Sequence, residues 1–202
     1  MAPGAVPKCI VIGASAGGIA ALRRLLPRIS PGIRASIVIV SHTGSTDMGN
    51  FCDVLSEQSA LPVQEAWERV RPEPGMVYVA PSGYHLMFEP DGRFALSVDS
   101  KIGFSRPSID VLFESAAETF GPMLAGIILT GANSDGAAGL ARVRECGGLA
   151  IVQDPTEAEI STMPLAALER AGADHCIRLP AMADLINSLC APAWEASRKP
   201  PR

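Results

Sequence analysis

The stretch that most constrains this chain is Cys9-Ile-Val-Ile-Gly-Ala-Ser-Ala-Gly-Gly18, an apolar run closed by glycine that leads straight into a helical pattern. Residues 9–12 read as a strand buried on both faces, because no polar residue interrupts them. Beyond the glycines, Ile19, Leu22, Leu26 and Ile29 recur at spacings of three and four, which predicts an amphipathic helix that stops near Pro31-Gly32. Ser15 therefore falls in a tight strand-to-helix turn among small neighbours. Such a turn lifts a hydroxyl clear of the sheet and sets it beside the unpaired N–H groups of a helix N-terminus.

Three readings compete for this turn. A dinucleotide fingerprint needs a middle glycine where Ser15 stands, and a second strand ending in an acidic residue, whereas the next strand ends Val40-Ser41-His42. A phosphate-binding loop of the Walker type needs Lys-Ser or Lys-Thr after the glycines, and neither follows. The pattern that fits is Gly-x-Ser-x-Gly, spelled Gly13-Ala-Ser15-Ala-Gly17, the turn that presents a nucleophilic serine. By itself this pattern is weak, and the ordinary account of such a serine is a helix N-cap. Its partners must decide.

The rest of the chain alternates strands and helices. Strands are expected over residues 36–40, 76–80, 124–129, 149–152 and 176–179. Helices are expected over about 47–59 (with Ser45 or Thr46 as cap), 109–120 (with Ser108 as cap), up to Cys146, 163–171 and 182–189. Residues 61–75 are too rich in proline for a helix and read as a short edge strand and a loop. Glu89-Pro-Asp-Gly92 is turn chemistry for a hairpin between 85–88 and 93–98. The expected fold is α/β, a doubly wound and mostly parallel sheet with helices on both faces, extended by an antiparallel hairpin. The folded unit should run from 9 to 190, with flexible ends at 1–8 and 191–202.

Composition narrows the function classes. The 202 residues are 48% hydrophobic and carry a net charge of −4, enough apolar mass for one core and no basic stripe for nucleic acid. No apolar run reaches 18 residues and no signal peptide opens the chain, so no membrane insertion is expected and the cytoplasm is the expected compartment. The five cysteines are scattered and never spaced as C-x-x-C, and they read as buried small hydrophobes, with Cys52 the one candidate for an exposed thiol.

In doubly wound sheets, ligands bind beyond the carboxyl ends of the strands. Ser15, His42 and Asp135 each lie shortly past such an end, on three different strands. A serine hydroxyl becomes a useful nucleophile when an imidazole takes its proton, and a carboxylate holds that imidazole in the right tautomer. One of each is present. Of the other two histidines, His85 opens the hairpin and could line a cleft, and His175 reads as a surface or core residue. Asp110 is explained by the dipole of its helix, and Asp154 as a loop residue before Pro155.

These residues carry a resemblance. Gly13-Ala-Ser-Ala-Gly-Gly18, the strand-ending His42, Ala80-Pro81 with His85, Arg106-Pro-Ser-Ile-Asp-Val-Leu-Phe113, Ile128-Leu-Thr-Gly131 with Asp135-Gly-Ala-Ala-Gly139, and Met163-Pro164 occur in one order. Together they resemble the catalytic domain of the CheB family, chemotaxis protein-glutamate methylesterases, across about residues 9–190. The resemblance implies a serine hydrolase that removes methyl esters from glutamate side chains on the cytoplasmic helices of chemoreceptors, with deamidation of receptor glutamines as a second activity. It implies Ser15 as nucleophile, His42 as general base and then acid, Asp135 as the orienting carboxylate, and the backbone N–H groups of Ala16 and Ala132 as the oxyanion hole. No cofactor or metal is implied. The rival readings are a non-catalytic module that holds an anion or a receptor segment on the same fold, and a serine esterase for another small ester. Two features depart from the family pattern. Only eight residues precede the first strand, which gives no support for a phospho-receiver domain and leaves a separate regulatory protein as the alternative. The rim of the site is also altered, with Thr43-Gly44 in place of Met-Pro and Ala132-Asn-Ser134 in place of Met-Gly-Asn.

Overall fold

The computed structural model describes residues 6–42, 48–103 and 105–191. Seven strands, β1 (Cys9–Ala14), β2 (Ser36–Ser41), β3 (Val63–Glu65), β4 (Val77–Val79), β7 (Leu124–Ile128), β8 (Leu149–Gln153) and β9 (His175–Ile177), form one sheet in the order β3-β4-β2-β1-β7-β8-β9. Every neighbouring pair is parallel. Two further strands, β5 (His85–Phe88) and β6 (Phe94–Ser97), pair antiparallel as a hairpin. The helices are α1 (Gly18–Leu25), α2 (Met48–Ser56), α3 (Ile109–Phe120), α4 (Ala137–Glu145), α5 (Thr162–Arg170) and α6 (Leu179–Leu189).

β1 shows why its sequence reads as an unbroken apolar run. Successive side chains of a strand point to opposite faces, and both faces here are covered. Ile10 and Ile12 join the core under α1, α2 and α6, with Leu22, Leu25, Phe51, Met182 and Ile186. Cys9 and Val11 join the core under α3, α4 and α5, with Phe113, Leu140, Val143 and Ala167. Chain order runs outward from β1 through β2 to β4 on one side, then returns to β7 and runs through β8 to β9 on the other. The reversal opens a crevice between the carboxyl ends of β1 and β7, where such sheets bind their ligands.

The doubly wound expectation holds, and several details differ from the sequence reading. The hairpin does not join the parallel sheet but forms a sheet of its own. Its apolar side chains Leu86, Phe88 and Phe94 pack into the α3 core; on the β5 edge the Phe88 N–H donates to Ser115 Oγ at 3.1 Å, and on the β6 edge Phe94 bonds the main chain of Arg69 and Val70. In α1 the buried face is Gly18, Ala21, Leu22 and Leu25, so Ile19 points outward and is 39% exposed. The α helix ends at Leu25 and residues 26–28 tighten into a 3-10 turn around Pro27. Cys52 is half-buried, whereas Cys176 is the exposed thiol, because β9 is an edge strand with only one neighbour. Burial pushes the Cys9 thiol up to about 12, so it stays a protonated core group. The cap candidates Ser45 and Thr46 lie outside the described residues, as do residues 1–5 and 192–202 of the two ends.

Candidate active site

Ser15 is the first residue past β1. Its N–H donates to Thr130 O at 3.0 Å and its carbonyl accepts from Gly18 N at 2.8 Å, which folds the chain into the expected elbow. The N-cap of α1 falls on Gly17, whose φ of 78° lies in the left-handed region open to glycine. Ser15 is thus not the cap, and its hydroxyl is not committed to α1. The elbow is clamped from behind by Thr130, whose hydroxyl donates to Ala16 O at 2.9 Å and accepts from Ile160 N at 2.9 Å. Gly131 allows this close approach, since a Cβ there would stand 2.9 Å from Ser15 Cβ and 2.6 Å from Met163 Cε.

His42 arrives on the neighbouring strand. β1 and β2 run in register as far as Ala14 and Ser41, and the His42 N–H donates to Ala14 O at 3.1 Å. Ser15 and His42 therefore leave adjacent parallel strands at the same level. The imidazole is largely buried, with Nε2 2.9 Å from Asp135 Oδ2. The ring N–H is not aimed along that line, so the approach is a close contact rather than an aligned hydrogen bond.

Asp135 comes from the loop between β7 and α4, and it does more than face a ring. Its Oδ1 accepts from Ser108 Oγ and Asp110 N, both at 2.9 Å, and its Oδ2 accepts from Ile109 N at 2.7 Å. Ser108 occupies the N-cap position of α3 as expected, but its side chain makes no capping bond to its own helix. The cap is supplied from another loop by Asp135, which sets a negative charge on the helix N-terminus. Burial opposes ionisation of Asp135, and the facing His42 ring together with the bonds from Asp110 N, Ile109 N and Ser108 outweighs it, holding the carboxyl below its usual range.

Three residues gain a place here that the sequence reading did not give them. His85 is buried, with Nδ1 accepting from Ser108 N at 3.2 Å and Nε2 facing Ser100 O at 3.1 Å. It therefore steadies the segment that delivers Ser108 to Asp135. Asp110 accepts from Gly139 N at 2.7 Å and so ties α3 to α4. Burial and the nearby Asp135 charge push its carboxyl up to about 6, against the lowering effect of the Gly139 bond. Asn133 accepts from Asp135 N through Oδ1 at 3.1 Å and approaches His42 Nδ1 through Nδ2 at 3.2 Å. An Asn two residues before an Asp in a glycine-rich loop is a signal for an Asx turn, but nothing in sequence tells that its other end reaches a histidine. His175 stands in the edge strand β9, on the far side of the sheet from β2. Among the described residues, no hydrogen-bond acceptor engages the N–H of Ala16 or of Ala132.

A family model described as CheB methylesterase matches residues 10–186. The chain belongs to the CheB methylesterase family. A Leptospira interrogans protein provisionally named a protein-glutamate methylesterase/protein-glutamine glutaminase is 47% identical over 178 residues, covering 88% of this chain and 92% of that protein. The protein-glutamate methylesterase FrzG of Myxococcus xanthus is 39% identical over 173 residues, 84% of this chain but 51% of its own length. The crystal structure of the Thermotoga maritima CheB methylesterase catalytic domain superimposes with a TM-score of 0.87 at 31% identity, covering 91% of this chain and 98% of that one. The chain thus spans nearly all of one relative and about half of another, and its fold is that of a CheB catalytic domain.

Proposed function

We propose that this chain is a protein-glutamate methylesterase in which Ser15, His42 and Asp135 form the catalytic triad. The observation that carries the reading is the convergence of the three residues: two step off adjacent, in-register strands, and the third brings its carboxylate to 2.9 Å from the imidazole. In the first half-reaction, Ser15 Oγ attacks the carbonyl carbon of a glutamate γ-methyl ester while His42 takes the hydroxyl proton. The oxyanion would be held by the N–H groups of Ala16 and Ala132, which the described acceptors leave unengaged. Each such donor is typically worth about 3 kcal/mol of transition-state stabilisation. Collapse returns the proton from His42 to the leaving oxygen, methanol departs, and the enzyme holds an acyl ester on Ser15. Water, activated by the same ring, then releases the glutamate carboxylate and restores the serine.

Asp135 stabilises the imidazolium at both stages, and its ionised state is secured by the α3 N-terminus. The same acyl-enzyme would form from a glutamine carboxamide with loss of ammonia, which accounts for a paired glutaminase activity. We place the substrate on the cytoplasmic helices of methylated chemoreceptors and the enzyme in the cytoplasm. No described helix is long and apolar enough to cross a membrane. The test is methanol release from methylated receptor. The Ser15→Ala variant should lose it by at least a thousandfold, and equal rates for the variant and the parent chain would overturn the reading.

A further inference from the structure

Asn133 stands where the resemblance led to the expectation of glycine, and its amide is held at both ends. The Asp135 N–H donates to Oδ1 at 3.1 Å, which fixes the orientation of the amide and turns its NH2 toward His42 Nδ1, 3.2 Å away. An NH2 group has only protons to offer. A nitrogen that meets it favourably must present a lone pair, so Nδ1 is unprotonated and the neutral ring carries its hydrogen on Nε2, beside Asp135 Oδ2. The amide contact thus selects the tautomer, and Nε2 is the nitrogen 2.9 Å from Asp135 Oδ2. Protonation of Nδ1 would set N–H against N–H at this contact.

We infer that Asn133 is a positioning residue for His42, which presents Nδ1 as the basic nitrogen and keeps it capped until the serine hydroxyl displaces the amide. The inference rests on the proposed role of His42 as base. Among the described residues, the charged group seen against this ring is Asp135, with Asp110, on α3, next to Asp135. Neither changes in the variants below.

Two substitutions separate the donor from the loop it braces. Asn133→Ser retains a short oxygen able to accept the Asp135 N–H but is too short to reach the ring. Asn133→Asp keeps the length and replaces the donor with a charged acceptor. With only three histidines in the chain, uniform 15N labelling resolves the protonation of each ring by NMR. The parent chain should show His42 neutral with its proton on Nε2. In Asn133→Asp, Nδ1 should gain a proton, and the acid limb of the methanol-release profile should move up by about one pH unit, a tenfold loss on that limb. Asn133→Ser should move the limb in the same direction by less. A neutral His42 protonated at Nδ1 in the parent chain, or an identical acid limb in all three proteins, would overturn the inference. The NMR result does not depend on turnover. If Ser15→Ala still hydrolyses ester while the His42 signals respond to residue 133, the catalytic reading falls and the positioning claim stands.

Discussion

Asp135→Asn should cost stability as well as activity, because the carboxylate serves a helix and a ring at once. The isosteric amide keeps one oxygen and replaces the other with NH2. Placed at Oδ2, the NH2 faces the Ile109 N–H, 2.7 Å away, and His42 Nε2, 2.9 Å away. Placed at Oδ1, it faces the Asp110 N–H and Ser108 Oγ, both at 2.9 Å. The serine hydroxyl can turn and accept, but a backbone N–H cannot. Either placement therefore strands one N–H of the first turn of α3. A hydrogen bond to a charged group contributes about 1.5–3 kcal/mol, and the lost negative charge at a partly buried helix N-terminus adds up to about 2 kcal/mol. A loss of about 3 kcal/mol is expected, which in a chain of this size lowers Tm by about 6–12 °C.

Ser108→Ala is the calibrating variant. It removes one bond to Oδ1 and leaves both helix N–H groups satisfied, so it should cost about half as much. Thermal unfolding followed by circular dichroism measures both, and methanol release measures the catalytic loss, for which an Asp→Asn change in a serine triad gives about 10⁴ in kcat. The pH dependence supplies a second signature. Because the folded carboxyl sits below its ordinary value of 3.8, the unfolded chain binds more protons as the medium turns acid. The stability that Asp135 supplies is complete above the unfolded value and drains away as pH falls through the folded one. The gap between the parent chain and Asp135→Asn should therefore close in acid. A variant as stable as Ser108→Ala, with a gap that does not change with pH, would show that α3 is capped by other means and refute the reasoning.

Two more outcomes follow from neighbouring groups. Asp110 shifts the opposite way, from 3.8 to about 6, so between those values the unfolded chain has released a proton that the folded chain retains, and stability falls as pH rises; Asp110→Asn keeps an oxygen for Gly139 N–H and should gain on the parent chain from pH 4 to pH 7 in urea midpoint, an equal difference at both pH values counting against it. Gly131→Ala brings a Cβ to 2.9 Å from Ser15 Cβ. The tip of Met163 can swing away, but Ser15 Cβ is fixed to the main chain, so the elbow must move; an overpacking cost of about 1–3 kcal/mol and at least a tenfold fall in kcat are expected, and a variant with the parent rate would show that the elbow is not held from this side.

What the sequence made legible was whatever local chemistry decides. The buried strands announced themselves because each is covered on both faces, and the elbow at Ser15 did so because its glycines serve a single turn. The hairpin was visible in Glu89-Pro-Asp-Gly92, yet its separation from the sheet was not. On β5 the Phe88 N–H goes to Ser115 Oγ, on a helix 27 residues further along, and on β6 Phe94 bonds the main chain of Arg69 and Val70. Cys176 reads as core because it lies in a short strand-like run, and only the order of the strands reveals that β9 has an open side. Asn133 escaped for a similar reason: its partner lies 91 residues away.

The same distinction explains why two motifs accompany one another in this chain. Arg106-Pro-Ser108 and Asp135-Gly-Ala-Ala-Gly139 have no local reason to occur together, since neither forms a turn with the other. In the fold they are the two halves of one joint. Ser108 and the first N–H groups of α3 need an anion, and Asp135 needs donors strong enough to remain ionised where burial opposes it. Each supplies what the other lacks. A carboxylate left without the helix would drift toward its protonated form and lose its hold on an imidazolium, and a helix left without the carboxylate would open its first turn beside the ring. The charge that His42 faces is thus maintained by backbone geometry, the first N–H groups of α3 holding the carboxylate ionised 2.9 Å from the ring.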